Sequence, residues 1–220
     1  MRKRCMNLLM RMRKKPWVDA LLNNPPFFVL ADASSLSGST HVHHDVVHLE
    51  IGSGKGDYWI QMSQLFPKEL WIGIEKEINV AAVAIKKASK SIKSNQLFLI
   101  GEAQNYLEQF SDGDIDFIHL NFSDPWPKKR THKRRLSASS FINHYKRILS
   151  EHGKIIMKTD NQDLFEYSMV QFSQSDLILE EMSVDFRRHQ HEDAISEYES
   201  RFMSLNLPIY RCIWRKQHHG

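Results

Sequence analysis

From about position 46 onward, short apolar runs of strand length alternate with stretches in which apolar residues recur every three or four positions. Strands are expected at 46–51, 70–75, 96–100, 115–122 and 154–159, and helices over 56–66, 77–93, 139–149 and 162–173. Within 77–93, Ile78, Ala81, Ala82, Ile85, Ala88 and Ile92 share one helical face; Phe141, Tyr145, Ile148 and Leu149 share another further on. Strand-like runs at 177–186 and 208–214 close the series. Regular alternation of strand and helix predicts an α/β fold, a mainly parallel sheet covered by helices on both faces. Before it, the turn formers Asn23-Asn24-Pro25-Pro26 and the Ser- and His-rich stretch from Ser34 to His44 predict irregular structure. The expected organisation is therefore an arm over residues 1–44 and one domain over 45–220, a size that buries a core without disulfide or metal staples.

Charge sharpens this picture. The chain carries 30 Lys and Arg against 26 Asp and Glu. Seven bases and no acid fall in residues 1–15, and six more (Lys128, Lys129, Arg130, Lys133, Arg134 and Arg135) fall in 128–135. Without those thirteen the remainder carries −9, so a mildly acidic body bears two concentrated basic segments, a pattern suited to gripping a polyanion locally. Cys5 and Cys212, the two cysteines, have no ligand-like spacing, which favours a reducing compartment, with the cytoplasm as default. Leu8-Leu9-Met10 is cut short by Arg11, so neither a signal peptide nor a membrane span is expected, and the Arg-rich start is compatible with a transit peptide on composition alone. His41, His43, His44, Asp45 and His48 cluster in sequence, but without thiols or a helical pair of histidines no metal is expected.

The candidate chemistry sits where strands end. Glu50-Ile51-Gly52-Ser53-Gly54-Lys55-Gly56 closes the first strand with glycines at alternate positions, letting a ligand approach the backbone closely. The spacing matches neither the dinucleotide nor the Walker pattern. Glu75 ends the second strand, near the distance at which nucleotide-binding α/β units place an acid on ribose hydroxyls. Glu102, Asp124 and Asp160 follow the third, fourth and fifth strands, so a parallel sheet would gather five carboxylates at its carboxyl ends. Acids also cap helices with no functional role. Among adenosine ligands, such a rim suits S-adenosylmethionine, which carries an ammonium and a sulfonium and no phosphate, better than NAD.

Residues 121–135, NFSDPWPKKRTHKRR, together with EIGSGKG, GIE, KTDN at 158–161 and SEYESRF at 196–202, resemble the tRNA (guanine-N7)-methyltransferase family, in order across roughly residues 10–215. The resemblance implies a class I, Rossmann-like methyltransferase domain, with a mainly parallel seven-stranded sheet whose last strand is antiparallel. It implies S-adenosylmethionine as donor, S-adenosylhomocysteine as product, and guanine at position 46 of the tRNA variable loop as acceptor. By position it puts donor binding on Glu50, Gly52, Gly54, Glu75, Glu102, Ala103, Asn121 and Asp124. Catalysis falls on Asp124, and substrate contact on Lys128, Asp160, Ser196, Glu197, Tyr198 and Glu199. Lys129, Arg130, Lys133, Arg134 and Arg135 would hold RNA phosphates. The family usually has Asp where Glu102 stands and Thr where Ser196 stands; 10–17 resembles its usual beginning, so residues 1–9 read as an extension or an upstream start.

The implied chemistry accounts for the composition of 121–135. N7 of neutral guanine already offers a lone pair, so in-line methyl transfer needs positioning and charge stabilisation rather than a general base. Asp124, Asp160 or Glu199 would accept from the guanine N1–H and N2 amino group, while Trp126 or Tyr198 would stack on the displaced base. The expected partner is tRNA, with no membrane, and the protein a monomer or homodimer. The rival readings are a methyltransferase of this fold acting on another RNA base or a protein, and a non-catalytic RNA-binding protein. Methionine and phenylalanine side chains in 162–207 are expected in the core.

Overall fold

The computed structural model describes residues 16–36 and 44–217, with Glu197 described in its backbone only. The basic segment 1–15 and the histidines at 41 and 43 lie outside the described residues. Within the arm expected over 1–44, α1 (Pro16–Asn23) and a two-residue β1 (Val29–Leu30) form. The sequence then runs β2 (Val47–Ile51), α2 (Asp57–Leu65), β3 (Leu70–Glu75), α3 (Ile78–Ala88), β4 (Gln96–Ile100), α4 (Ala103–Leu107) and β5 (Ile115–Asn121). It continues through α5 (Ser139–Ile148), β6 (Leu149–Thr159), α6 (Gln162–Ser173), β7 (Leu177–Ser183), α7 (Glu197–Ser204) and β8 (Tyr210–Lys216).

The strands form one sheet in the order β1-β4-β3-β2-β5-β6-β8-β7. Pairing from β1 through β6 is parallel, and β8 runs antiparallel to both β6 and β7. Eight strands stand where seven were expected; the additional one is β1, which extends the edge by pairing with β4. Every residue of β2 and β3 is buried, as parallel strands covered on both faces must be. Alternation then sorts the side chains. Leu70, Ile72 and Ile74 join a core with α4, α5 and α6, whereas Trp71 points into a second core with α2 and α3.

Two boundaries differ from expectation for local reasons. Helix α3 stops at Ala88, because the Ser89 hydroxyl donates back to the Ile85 carbonyl (2.8 Å) and a run of serines and lysines follows; Ile92 is left exposed. Strand β6 begins at Leu149 instead of 154, pairing with Ile115 before a register shift delivers Lys154 opposite Phe117.

The tightest constraint on the helical layer is Gly56, which precedes α2 with φ 79°. A Cβ there would lie 2.8 Å from the Ala84 Cβ of α3. We expect Gly56→Ala to lower the unfolding free energy by about 1–3 kcal/mol through left-handed strain, with the clash adding to it; urea titration measures this, and an unchanged midpoint would contradict the packing described.

Candidate active site

The turn after β2 is built by backbone bonds to the end of β3. Gly52 and Ser53 N–H both donate to the Ile74 carbonyl, at 2.8 and 3.0 Å. Gly54 N–H donates to Glu75 Oε2 (3.0 Å), and Glu75 Oε1 accepts from Glu77 N–H (2.8 Å), so one carboxylate fixes both the turn and the entry to α3. Gly54 is left-handed (φ 56°), and nothing lies within 4 Å of where its Cβ would stand. Beyond this turn opens a cleft of about 380 Å³, within the range of small-ligand sites; Glu50, Gly52, Gly54, Tyr58, Asn121 and Tyr198 are among its walls.

Glu50 forms the floor and is 2% exposed. Asn121 Nδ2 donates to Glu50 Oε1 (3.0 Å), while Glu50 Oε2 and Asn121 Oδ1 are buried acceptors with no partner in the protein. Buried acceptors of this kind are rarely left unpaired, so the pair could accept hydrogen bonds from donors on a ligand. Burial pushes the Glu50 carboxyl up to about 7, although the Asn121 bond and the charge of Lys158 both favour its ionised form.

The sequence-predicted residues divide. Glu50, Gly52, Gly54 and Asn121 line the cleft, and Glu75 is bonded to its rim. Glu102 is exposed at the start of α4 beside the buried Ala103, one strand further out than Glu75. Asp124 is exposed on the loop after β5, flanked by Phe122 and Trp126, both left-handed at φ 50° and 40°. Asp160 is half-buried after β6, and burial raises its carboxyl above the usual carboxylate range. Ser196 lines the cleft and caps α7, its hydroxyl accepting from Glu199 N–H (3.1 Å). Tyr198, half-exposed, packs against Phe122 and Phe202 with ring centroids 5.4 and 5.0 Å away. Burial, then the charge of Asp160 and less strongly that of Asp124, raises its phenol, with Arg201 opposing. The expectation for the Glu197 side chain lies outside the described residues.

Three expectations are corrected. Glu199 is fully buried, accepting from Arg187 Nε (2.6 Å) and Lys158 Nζ (3.3 Å), so its carboxylate turns into the protein rather than lining the cleft. Arg135 is 3% exposed: its Nε donates to the Pro125 carbonyl (2.8 Å) and its guanidinium lies over Tyr167 (4.4 Å), bracing the loop from behind. Met182 lies 52% exposed near the end of β7, on the outer strand of the sheet, rather than in the core. The remaining bases, Lys128, Lys129, Arg130, Lys133 and Arg134, are exposed on and beside the short 3-10 turn Lys129–Arg134. Half-buried Trp126 sits between Lys76 (5.4 Å) and Arg134 (5.0 Å) in cation–π contact.

Sequence reasoning missed Lys158, Asp193, Arg187 and Tyr58, which form a buried polar cluster under the cleft wall. A lysine closing the apolar run 154–159 is the signal that was there to find. Of the histidines grouped in sequence, His44 Nδ1 meets the Lys68 carbonyl (3.2 Å), whereas His48 stacks on Trp71 (3.9 Å) and meets Glu69 (2.8 Å) and His119 (3.0 Å).

A parallel sheet with one reversed strand near its edge, a glycine turn and an acid at the ends of adjacent central strands define a class I methyltransferase. The solved 16S rRNA methyltransferase KamB has the same fold, with TM-score 0.60 at 12% identity, covering 81% of this chain and 91% of that one. A family model described as "Putative methyltransferase" matches residues 44–212. The tRNA (guanine-N(7)-)-methyltransferase of Oceanobacillus iheyensis is 40% identical over 207 residues, covering 92% of this chain and 97% of that protein. The same-named protein of Streptococcus mutans is 38% identical, covering 92% and 98%. The chain belongs to the tRNA (guanine-N(7)-)-methyltransferase family.

S-adenosylmethionine is the methyl donor, supplying an electrophilic methyl group on a sulfonium. The residues present fit it: Glu50 Oε2 and Asn121 Oδ1 would accept from its ammonium, and Glu75, whose two oxygens each accept one backbone N–H, would have lone pairs left for ribose hydroxyls. Because the Glu50 carboxyl titrates near 7 and the donor is cationic, affinity should rise as pH increases through that value. We expect about a tenfold tightening between about pH 6 and pH 8, from the growing carboxylate fraction. Calorimetry on the wild type and on Glu50→Gln reads this directly; a pH response that survives the substitution would remove Glu50 as its source.

Proposed function

We propose that the protein transfers a methyl group from S-adenosylmethionine to N7 of guanine at position 46 in the tRNA variable loop, releasing S-adenosylhomocysteine. Membership of the tRNA (guanine-N(7)-)-methyltransferase family carries the reaction; position 46 rests on the resemblance of residues 121–135. The observation that supports it best is adjacency: the loop bearing Asp124 leaves β5 directly after Asn121, which lines the acid-floored cleft, and leads into five exposed bases.

The chemistry then divides among the chain's own groups. The N7 lone pair attacks without prior deprotonation, so no residue need act as a base. Asp124 orients the purine and stabilises the cationic charge that passes to it, an effect strengthened once water is excluded. Asp160, half-buried after β6, accepts from the guanine Watson–Crick edge, which adenine cannot match. Phe122 and Tyr198 offer an aromatic surface for the displaced base. Alignment of the reacting atoms is the larger contribution, worth up to about 7–11 kcal/mol. Lys128, Lys129, Arg130, Lys133 and Arg134 hold phosphates. The cytoplasm is the proposed location, and no helix among the described residues is long and apolar enough to cross a membrane. A monomer or homodimer is the proposed oligomeric state.

Mass spectrometry of nucleosides from treated tRNA should show 7-methylguanosine as the one new modified base, mapped to position 46; methylation elsewhere would overturn the assignment. Asp124→Ala should lower turnover about 100-fold or more while tRNA affinity stays nearly unchanged. In salt titrations of tRNA binding, Lys133→Ala with Arg134→Ala should flatten the log–log slope by about 1.4, at about 0.7 for each phosphate no longer neutralised. Arg135→Met should leave that slope alone and instead lower stability by about 1.5–3 kcal/mol, as removal of a charged hydrogen bond does.

A further inference from the structure

The segment joining β7 to β8, residues 184–209, supplies Ser196, Tyr198 and Arg201 to the cleft wall, and α7 is its one α-helix. Its attachment to the body of the domain is a buried network of four charged side chains. Lys158, at the end of β6, donates to Asp193 Oδ2 (2.7 Å) and Glu199 Oε2 (3.3 Å). Arg187 bridges the same two acids, through NH2 to Asp193 Oδ2 and through Nε to Glu199 Oε1, both at 2.6 Å. Side-chain exposures are 1% for Lys158, 9% for Arg187, 16% for Asp193 and 0% for Glu199. Tyr58 of α2 completes the anchor, its hydroxyl donating to Asp193 Oδ1 (2.9 Å) while Lys158 Nζ lies 4.3 Å over its ring.

Three members, Arg187, Asp193 and Glu199, belong to the segment, and the two groups that receive them, Lys158 and Tyr58, also adjoin the donor cleft: Tyr58 lines it and the charge of Lys158 reaches Glu50. The formal charges cancel, two positive against two negative, so the network persists in a dry environment only while all four members remain.

We infer that the Lys158–Asp193–Arg187–Glu199 network is the positioning machinery that seats the 184–209 segment on the sheet, making Glu199 an anchor for the donor-cleft wall. The inference rests on the reading of the cleft as the donor site. Disrupting the network therefore loosens Ser196 and Tyr198 together and weakens donor binding even when no tRNA is present.

The decisive variant is Glu199→Gln, which keeps shape and removes charge. Donor affinity without tRNA, by calorimetry, should weaken about tenfold or more through misplacement of the wall. Amide exchange in peptides from 186–204 should accelerate, while peptides from β2 and β3 keep wild-type protection, the signature of local opening. Unchanged donor affinity and exchange, with a raised KM for tRNA alone, would overturn the inference and return Glu199 to substrate contact. Should Glu199→Gln not fold, Arg187→Lys decides by the same two measurements, since it keeps the charge but loses the fork that spans both acids. If the wild type bound no donor, the donor-site reading would fail, and the exchange comparison alone would decide the anchor.

Discussion

Parallel pairing of β2 with β3 on one side and β5 on the other is the constraint on which the site depends. In that register Ile51 lies beside Ile74, Glu50 beside His119 and Asn121 beside Lys158. Strands that run the same way need crossovers, so each returns its carboxyl end to the same rim. Glu50, Glu75, Asn121 and Lys158, scattered over more than a hundred positions of chain, thereby meet around one glycine turn. Any antiparallel pairing among these central strands would send half of them to the opposite end of the sheet.

The same burial that makes the sheet stable makes charge costly at its rim. Glu50 bears that cost as a carboxyl that titrates near neutrality, and Lys158 and Arg187 are tolerated because each is matched by acids within hydrogen-bonding distance. The five exposed bases of 128–134 contribute little to folding, since water already solvates them, and are free to meet phosphates. Two kinds of positive charge thus coexist, one paired with acids in a dry interior beside the cleft and the other open to solvent, where the proposed grip on tRNA phosphates would lie.

Much of the fold was legible in the order of residues alone. Strands β3 and β4 and helix α6 fall where periodicity placed them, because buried parallel strands and one-sided helices leave strong apolar signatures. Strand β1 and helix α1 were not legible: two residues carry no periodicity, and Val29–Leu30 becomes a strand only because β4 offers an open edge. Helix α7 was hidden for a related reason, since its register is set by the Ser196 cap and by Glu199 turning inward to Arg187.

Sequence by itself determined the βα alternation, the acid at the end of each central strand, the glycine turn and the dense basic run after Asp124, all of them local patterns of residue type. Tertiary structure decided which members of those patterns stand open to the cleft or to solvent. Arg135 is indistinguishable from Arg134 in the sequence, yet the Pro125 carbonyl and the Tyr167 ring meet at one of them and solvent at the other. Glu199 and Tyr198 are neighbours in one motif, but one turns into a cage of cations and the other toward the cleft. Desolvation and pairing are properties of what surrounds a side chain, and those surroundings come from distant parts of the chain that no local pattern encodes.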